Sequence, residues 1–167
     1  MTRPKSLIKY LAVLTAAAFI SYRINIRQVV VDGDTLIIGR EKVRFNDIDA
    51  PETNQICTCK GKQIKCGVES KSVLADLIGL NRVFCKSSQR DIYGRLLADC
   101  FITKNGNEIS LNALMVRAGA AVVTSKSNAV LLREESNAIR QKKGIWGCED
   151  FQMPSDFRKS VQNNRSI

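Results

Sequence analysis

The chain has 167 residues, of which 44% are hydrophobic, so it is long enough for one compact domain with a core and a short appendage. Its formal net charge of +10 favours a polyanionic partner, either nucleic acid or an anionic membrane surface. It contains no histidine, which excludes Ser-His-Asp catalysis, a histidine general base and a zinc site built on imidazole.

The N-terminal segment, residues 1–26, has the pattern of an export signal. Basic residues precede the uncharged run Tyr10–Tyr22, and Arg23 follows it. This run is shorter than the roughly 20 residues that a membrane span needs, so the segment is either a cleaved signal peptide or a marginal uncleaved anchor. In both cases the positive-inside rule puts the following residues outside the cytoplasm, periplasmic or secreted and tethered to the membrane if the anchor is kept. A buried N-terminal helix is the alternative.

Three short β-prone runs follow the N-terminal segment. They are Val29–Val31, Leu36–Ile38 and Val43–Ile48, and turn sequences separate them. After them, Asp49–Gly67 predicts a long polar loop that carries three cysteines.

The remaining chain predicts three helices and two strands. Apolar residues on one face predict a helix at Val68–Leu80, and β-prone runs predict strands at Arg82–Lys86 and Leu96–Ile102 on either side of the loop "SSQRDIYGR". Leu111–Ala118 and Ala129–Lys143 are the other two helices. This order predicts an α+β fold, and it fits an OB-type five-stranded β-barrel with three helices. We expect a domain over residues 27–148 and a C-terminal tail, residues 149–167, with little pattern.

Six cysteines are typical of a protein from an oxidising compartment, and six allow fifteen pairings. Zinc is the rival interpretation, because "CTCKGKQIKC" has a C-x-C pair and a third cysteine. The usual C-x-x-C spacing is missing, which argues against zinc.

Acidic residues stand at both far ends of the predicted hairpin. If Leu36–Ile38 pairs with Val43–Ile48, Asp34 and Asp49 lie side by side. Two adjacent carboxylates repel each other unless a cation or proton holds them, and a hard divalent cation such as calcium prefers oxygen ligands. Taken alone, the same two residues could be ordinary turn residues.

Three further residues fit phosphodiester hydrolysis around that cation. Arg44 in the third strand and Arg95 after "DIYG" could stabilise the negative charge that develops on the phosphoryl oxygens. Glu52, just beyond Pro51, could deprotonate the attacking water. The structural alternatives are an ion pair of Arg44 with a neighbouring acid and a surface role for Arg95.

The motifs "VDGDTLII", "VRFNDIDAPE", "CG" before a helix, "DIYGRLLA", "LNALMVRAGAA" and "GIW" occur in this order. In this arrangement the chain resembles the staphylococcal nuclease-like (thermonuclease) family over roughly residues 29–146. The resemblance implies an OB-type barrel and a calcium-dependent enzyme that hydrolyses DNA and RNA and leaves 3′-phosphate ends.

The resemblance also implies roles for individual residues. Asp34 and Asp49 match the metal carboxylates, and Ala50 matches a ligand that acts through its backbone carbonyl. Arg44, Glu52 and Arg95 match the three catalytic positions. Two neighbours complete the set: Asp32 matches an acid near the metal, and Tyr93 matches a tyrosine beside the bound phosphate.

Two positions depart from the family pattern. Ile92 stands where a lysine contacts a terminal phosphate, and Ser125 stands where a tyrosine is expected. These departures affect contacts with the nucleotide ends and leave the catalytic positions intact.

The cysteine positions suggest pairs. Cys85 and Cys100 lie on the strands flanking the "DIYGR" loop, and Cys57 with Cys66 would close the loop after the site. Cys59 and Cys148 remain as a third pair.

We expect a monomer that acts on nucleic acid. The alternative is a non-catalytic OB-type nucleic-acid-binding module. Such a module has no need for the complete catalytic set and more often has several aromatic residues for base stacking, whereas this chain is 6% aromatic.

Overall fold

The computed structural model describes residues 27–165, in which helices and strands are mixed, and the predicted α+β class is confirmed. The helices are α1 (Cys66–Ile78), α2 (Leu111–Arg117), α3 (Ala129–Arg140) and α4 (Pro154–Arg165), with a 3-10 turn at Gly144–Gly147. The strands are β1 (Gln28–Val30), β2 (Thr35–Ile38), β3 (Glu41–Phe45), β4 (Ile48–Asp49), β5 (Cys57–Cys59), β6 (Lys62–Ile64), β7 (Val83–Arg90), β8 (Leu96–Lys104), β9 (Asn107–Ser110), β10 (Val122–Val123) and β11 (Cys148–Asp150).

The main sheet has the strand order β1-β2-β3-β8-β7, and β9 pairs with β8. The β2–β3 hairpin is antiparallel, with Thr35 opposite Arg44. β3 then runs parallel to β8, with Phe45 opposite Ala98, although about fifty residues of chain separate the two strands. This parallel pairing places the residues just before β8, among them Arg95, beside the β2–β3 hairpin.

The core lies between the main sheet and the helices α1, α2 and α3. Its largest buried side chains include Leu36, Phe45, Leu74, Leu111 and Met115, each at most 1% exposed. Burial of one such side chain contributes about 1.5–3 kcal/mol, so this core is the main source of stability.

Two small sheets complete the fold around the chain that follows β3. β4 pairs with β10, and β5 pairs with both β6 and β11. The second of these sheets connects the segment after β4 to the end of the domain. It therefore fixes α4, which follows β11, close to the end of the β2–β3 hairpin.

Three disulfides join the six cysteines, all of which lie in the described range, and they agree with the pairs suggested by the sequence. Cys85–Cys100 bridges directly opposed residues of β7 and β8. Cys57–Cys66 joins β5 to the start of α1. Cys59–Cys148 joins β5 to β11.

The predicted third strand, Val43–Ile48, is divided in the structure. β3 ends at Phe45 and β4 begins at Ile48, because Asp47 has a positive φ of 61°. The backbone carbonyl of Asn46 accepts a hydrogen bond from Nδ2 of the buried Asn112 in α2 (3.0 Å). This carbonyl therefore has a hydrogen-bond partner outside the sheet.

Other segments are more ordered than predicted. The loop Asp49–Gly67 contains the β5–β6 hairpin, β7 extends to Arg90, and the tail contains α4. The helix α4 has a proline at its first residue and Asp156 in its first turn, both of which favour a helix start.

The predicted signal peptide or anchor, residues 1–26, lies outside the described residues. Among residues 27–165, no helix has the length and apolar character needed to cross a membrane.

Candidate active site

One arginine connects the two carboxylates at the base of the hairpin. Arg44 on β3 donates from Nη1 to Oδ1 of Asp34 (2.5 Å) and from Nη2 to Oδ1 of Asp49 (2.6 Å). Asp34 is 1% exposed and Asp49 is 3% exposed. The structure thus brings together the two carboxylates predicted from hairpin pairing. Arg44 pairs with them and not with Glu41, which pairs with Arg90.

The carboxylate of Asp34 is held by a dense set of donors. The backbone N–H of Ala50 donates to its Oδ2 (2.7 Å), and the hydroxyl of Thr35 donates to its Oδ1 (2.9 Å). The side chain of Asp32 accepts from the backbone N–H of Asp34 (3.1 Å), which orients the turn. Burial raises the pKa of Asp34 to about 7, even though the Arg44 cation opposes the shift. This buried carboxyl therefore keeps its proton more readily than an exposed one.

The segment that carries Glu52 is held from two sides. Gln55, which is buried, accepts from the backbone N–H of Glu52 (3.2 Å) and donates to the carbonyl of Gln152 (2.6 Å). Gly67, at the start of α1, lies so close that a Cβ there would be 1.8 Å from the Glu52 carbonyl oxygen. The turn after Pro51 is therefore positioned by close backbone packing, which explains the glycine after Cys66.

Arg95 lies at the edge of the same site because β8 follows it and pairs with β3. Its Nε donates to Oδ2 of Asp91 (2.6 Å), and its guanidinium lies 5.5 Å from the ring centre of Tyr93. Asp91 also accepts from the backbone N–H groups of Tyr93 and Arg95, both at 2.9 Å. The loop is thus folded around one carboxylate that orients Arg95.

These residues surround one cleft with a volume of about 720 Å³. Its lining residues are Lys42, Arg44, Glu52, Tyr93, Arg95, Ser155, Arg158, Lys159 and Gln162. Five of them are cationic and one is acidic, so the cleft has the charge expected of a site for a phosphate backbone. Tyr93 is 77% exposed at its rim, which excludes a role in the core.

Arg158 on α4 is a part of the site that was not predicted. Its Nη1 donates to Oδ1 of Asp49 (3.0 Å) and Oε1 of Glu52 (2.8 Å), and its Nη2 donates to Oδ2 of Asp49 (2.9 Å). The hydrogen bonds to Asp49 raise the pKa of the Arg158 guanidinium above its usual value. The sequence predicted only a tail with little pattern here. Pro154 and the apolar pair Phe157 and Val161 are signals that could have indicated a helix, but no local pattern points to the contact with Asp49.

The two departures from the expected pattern lie away from the carboxylates. Ile92 is 92% exposed at the tip of the loop before Arg95. Ser125 makes a contact with Ser127 (3.1 Å) and is not among the described residues that line the cleft.

Within residues 27–165, no group of three or more His, Cys, Asp or Glu residues is arranged to hold a metal ion. The donors at the base of the cleft are the two buried carboxylates of Asp34 and Asp49. Hard divalent cations prefer carboxylate oxygens as ligands. The chemistry of these donors fits calcium.

Comparison with known proteins gives consistent matches. A family model described as staphylococcal nuclease homologue matches residues 42–148. The Succinoglycan biosynthesis protein ExoI of Rhizobium meliloti (strain 1021) is 34% identical over 123 residues, which cover 72% of this chain and 63% of that protein. The Micrococcal nuclease of Shigella flexneri is 30% identical over 147 residues, which cover 80% of this chain and 79% of that protein. The Endonuclease YhcR of Bacillus subtilis (strain 168) is 30% identical over 154 residues, which cover 80% of this chain and only 12% of that protein.

Proposed function

The chain belongs to the family of staphylococcal nuclease homologues, and from this premise we propose that it is a calcium-dependent nuclease that hydrolyses DNA and RNA and leaves 3′-phosphate ends. The α+β, OB-type fold is that of the family. The observation that carries the proposal is the placement of Arg44, Glu52 and Arg95 around one basic cleft above the buried pair Asp34 and Asp49.

The two catalytic arginines bind and polarise the scissile phosphate. Arg95 is fixed at the cleft wall by Asp91 (2.6 Å), and Arg44 is fixed at the base by two carboxylates. Because these cations are held in place before the substrate arrives, they stabilise the extra negative charge of the transition state without reorganising. The planar guanidinium also suits two oxygens of one phosphate.

Glu52 acts as the general base. It takes a proton from a water molecule whose oxygen attacks phosphorus, the bond from phosphorus to the 5′ oxygen breaks, and the leaving oxygen takes up a proton from solvent. This direction of cleavage leaves the phosphate on the 3′ side. Glu52 is 36% exposed at its side chain, so water reaches it from the cleft.

Calcium would be held by Asp34, Asp49 and the backbone carbonyl of Ala50. When bound it supplies positive charge next to the phosphoryl oxygens and compensates the two buried carboxylates. Asp32, through the backbone of Asp34, keeps that turn in position.

Cation affinity is expected to rise with pH through about 7. Burial raises the pKa of Asp34 to about 7, and calcium needs the ionised carboxylate, so the dissociation constant should be about tenfold larger at pH 6 than at pH 8. In the calcium-free protein, folding stability changes with pH in the opposite direction. The folded-state pKa lies above the ordinary value of 3.8, so stability contributed by this group declines as pH rises from about 4 to about 7.

Calorimetric titration with calcium at pH 6, 7 and 8 measures this dependence. An Asp76→Asn variant is the control, because Asp76 is an exposed residue of α1 and should give the same profile as the unmodified protein. A dissociation constant that does not change with pH would contradict the assigned role of Asp34.

The nuclease activity itself can be tested on the full-length, oxidised protein. We expect end-labelled single-stranded DNA and RNA to be cut in calcium and left intact in a calcium chelator. The 5′-labelled DNA fragments, which carry the new 3′ ends, should resist 3′ extension by a terminal transferase until a phosphatase removes the 3′ phosphate. Nucleic acid that is retained but never cut would instead support the non-catalytic binding module.

We also propose that the protein works outside the cytoplasm, as a periplasmic or secreted monomer. Three disulfides among the described residues are typical of an oxidising compartment. In this proposal residues 1–26 direct export, either as a cleaved signal peptide or as an anchor that keeps the domain at the membrane surface.

A further inference from the structure

Helix α4 is attached to the site by several independent contacts. The family model ends at residue 148, so α4 lies beyond the residues that this model matches. The disulfide Cys59–Cys148 and the pairing of β11 with β5 fix the chain just before it. The Gln55 side chain then donates to the Gln152 carbonyl (2.6 Å), two residues before Pro154. The helix is therefore held over the cleft and does not depend on Arg158 alone for its position.

Arg158 engages the groups on which the proposed chemistry depends. Both carboxylate oxygens of Asp49 accept from its guanidinium (3.0 and 2.9 Å), and so does Oε1 of Glu52 (2.8 Å). Hydrogen bonds from a charged donor are among the strong ones, and they direct an acceptor's lone pairs at the donor. A carboxylate held in this way is a weaker ligand for a cation and a weaker base for water.

We propose that α4 is a built-in competitor of the divalent cation, in which Arg158 competes with calcium for Asp49 and Glu52. The inference rests on the proposed function, because it concerns the same carboxylates. It adds Arg158, which lies beyond the residues that the family model matches, as a residue that sets the calcium concentration needed to fill the site. Arg158 is a positioning residue here, since it acts through Asp49 and Glu52.

The displacement needs only a side-chain movement. The Arg158 side chain is 42% exposed and the Glu52 side chain is 36% exposed, so the guanidinium can leave without unfolding α4. The apparent dissociation constant for calcium then equals the intrinsic constant divided by the fraction of molecules in which Arg158 is displaced. Arg44 also donates to Asp49 (2.6 Å), but it is the same in every variant compared. Removing the Arg158 guanidinium removes one competitor of calcium, so the apparent affinity increases.

Calcium binding to the full-length, oxidised protein tests the inference by calorimetry in the absence of nucleic acid. We expect Arg158→Gln to lower the dissociation constant about tenfold, the factor that corresponds to one strong charge-assisted contact. Arg158→Lys should give an intermediate value. An ammonium group keeps the charge but cannot replace the two guanidinium nitrogens that donate to the two oxygens of Asp49.

Lys159→Gln is the matched control for the loss of charge. Lys159 lines the same cleft, but its ammonium pairs with Asp156 on its own helix (3.0 Å). Its replacement should change the dissociation constant by less than about twofold, because a solvated charge is well screened. Circular dichroism of each variant checks that α4 stays helical.

Two results would overturn the inference. One is a dissociation constant for Arg158→Gln that is no lower than the constant for Lys159→Gln. The other is that none of the four proteins, the unmodified one and the three variants, binds calcium. The first result, combined with calcium-dependent cutting by the unmodified protein, would leave the proposed function intact. Conversely, a tenfold gain in affinity without any cutting would support the inference and reject the nuclease activity.

Discussion

Replacement of Glu52 by glutamine is expected to lower kcat for nucleic-acid hydrolysis by about 10²–10⁴-fold, the usual contribution of a general base. The amide cannot take the proton of the attacking water. It leaves the five cations of the cleft in place, so KM should change little. Initial rates on single-stranded DNA at saturating calcium measure the effect.

The same substitution also removes the ion pair between Glu52 and Arg158 (2.8 Å), and a second variant separates the two effects. If Glu52 only held α4 in place, Arg158→Gln would lower kcat by the same factor. Glu108→Gln is the control for the change of residue type, because Glu108 pairs with Lys86 (2.8 Å) on the exposed edge of the sheet. A folded Glu52→Gln protein with kcat within about twofold of the unmodified enzyme would exclude the role of base.

Replacement of Arg44 by glutamine is expected to lower both stability and activity. It leaves the buried Asp34 without its arginine partner and Asp49 with Arg158 alone, and breaking a buried pair in this way costs about 3–5 kcal/mol. The loss of a fixed cation at the phosphate should lower kcat by about 10²–10³-fold. Urea unfolding in a chelator and in calcium gives the free energies, and calcium should restore part of the stability because it binds the folded state.

Two further substitutions test the explanation for Arg44. Arg44→Lys keeps the charge, but one ammonium group cannot replace the two guanidinium nitrogens that donate to the two carboxylates. This variant should therefore recover part of the stability and little of the activity. Arg90→Gln is the control, because Arg90 pairs with Glu41 where both side chains are about half exposed, and it should change the free energy by less than about 1 kcal/mol. An Arg44→Gln protein as stable as Arg90→Gln in the chelator would contradict the account.

Local patterns in the sequence were sufficient for the hairpin and the first three helices. Apolar spacing identified α1 and α2, which pack against the main sheet, and α3 buries its apolar face mainly against α2. The turn at Gly39–Glu41 implied the pairing of β2 with β3, and that pairing brings Asp34 and Asp49 to the same guanidinium. This part of the candidate site could be predicted because its members are within sixteen residues of one another.

Contacts between distant segments could not be predicted in the same way. Arg158 is 109 residues from Asp49 in the chain, and nothing in its own sequence neighbourhood specifies that contact. The β5–β6 hairpin lies in a polar stretch without alternation, and its order depends on pairing with β11 and on two disulfides. At the break after Phe45, Asn112 from α2 donates a hydrogen bond to the Asn46 carbonyl. In each case a tertiary contact overrides a weak local preference.

The charge of the cleft has a consequence for the surroundings in which the protein works. Five cations line it against a single acidic residue, so a bound strand displaces the counterions that its phosphates had condensed. The strength of that binding falls steeply as ionic strength rises, and the rate of encounter falls with it. If the enzyme is exported, as proposed, it has no control over the salt around it. The concentration of salt outside the cell would then govern how much nucleic acid the cleft captures, independently of the rate at which the captured strand is cut.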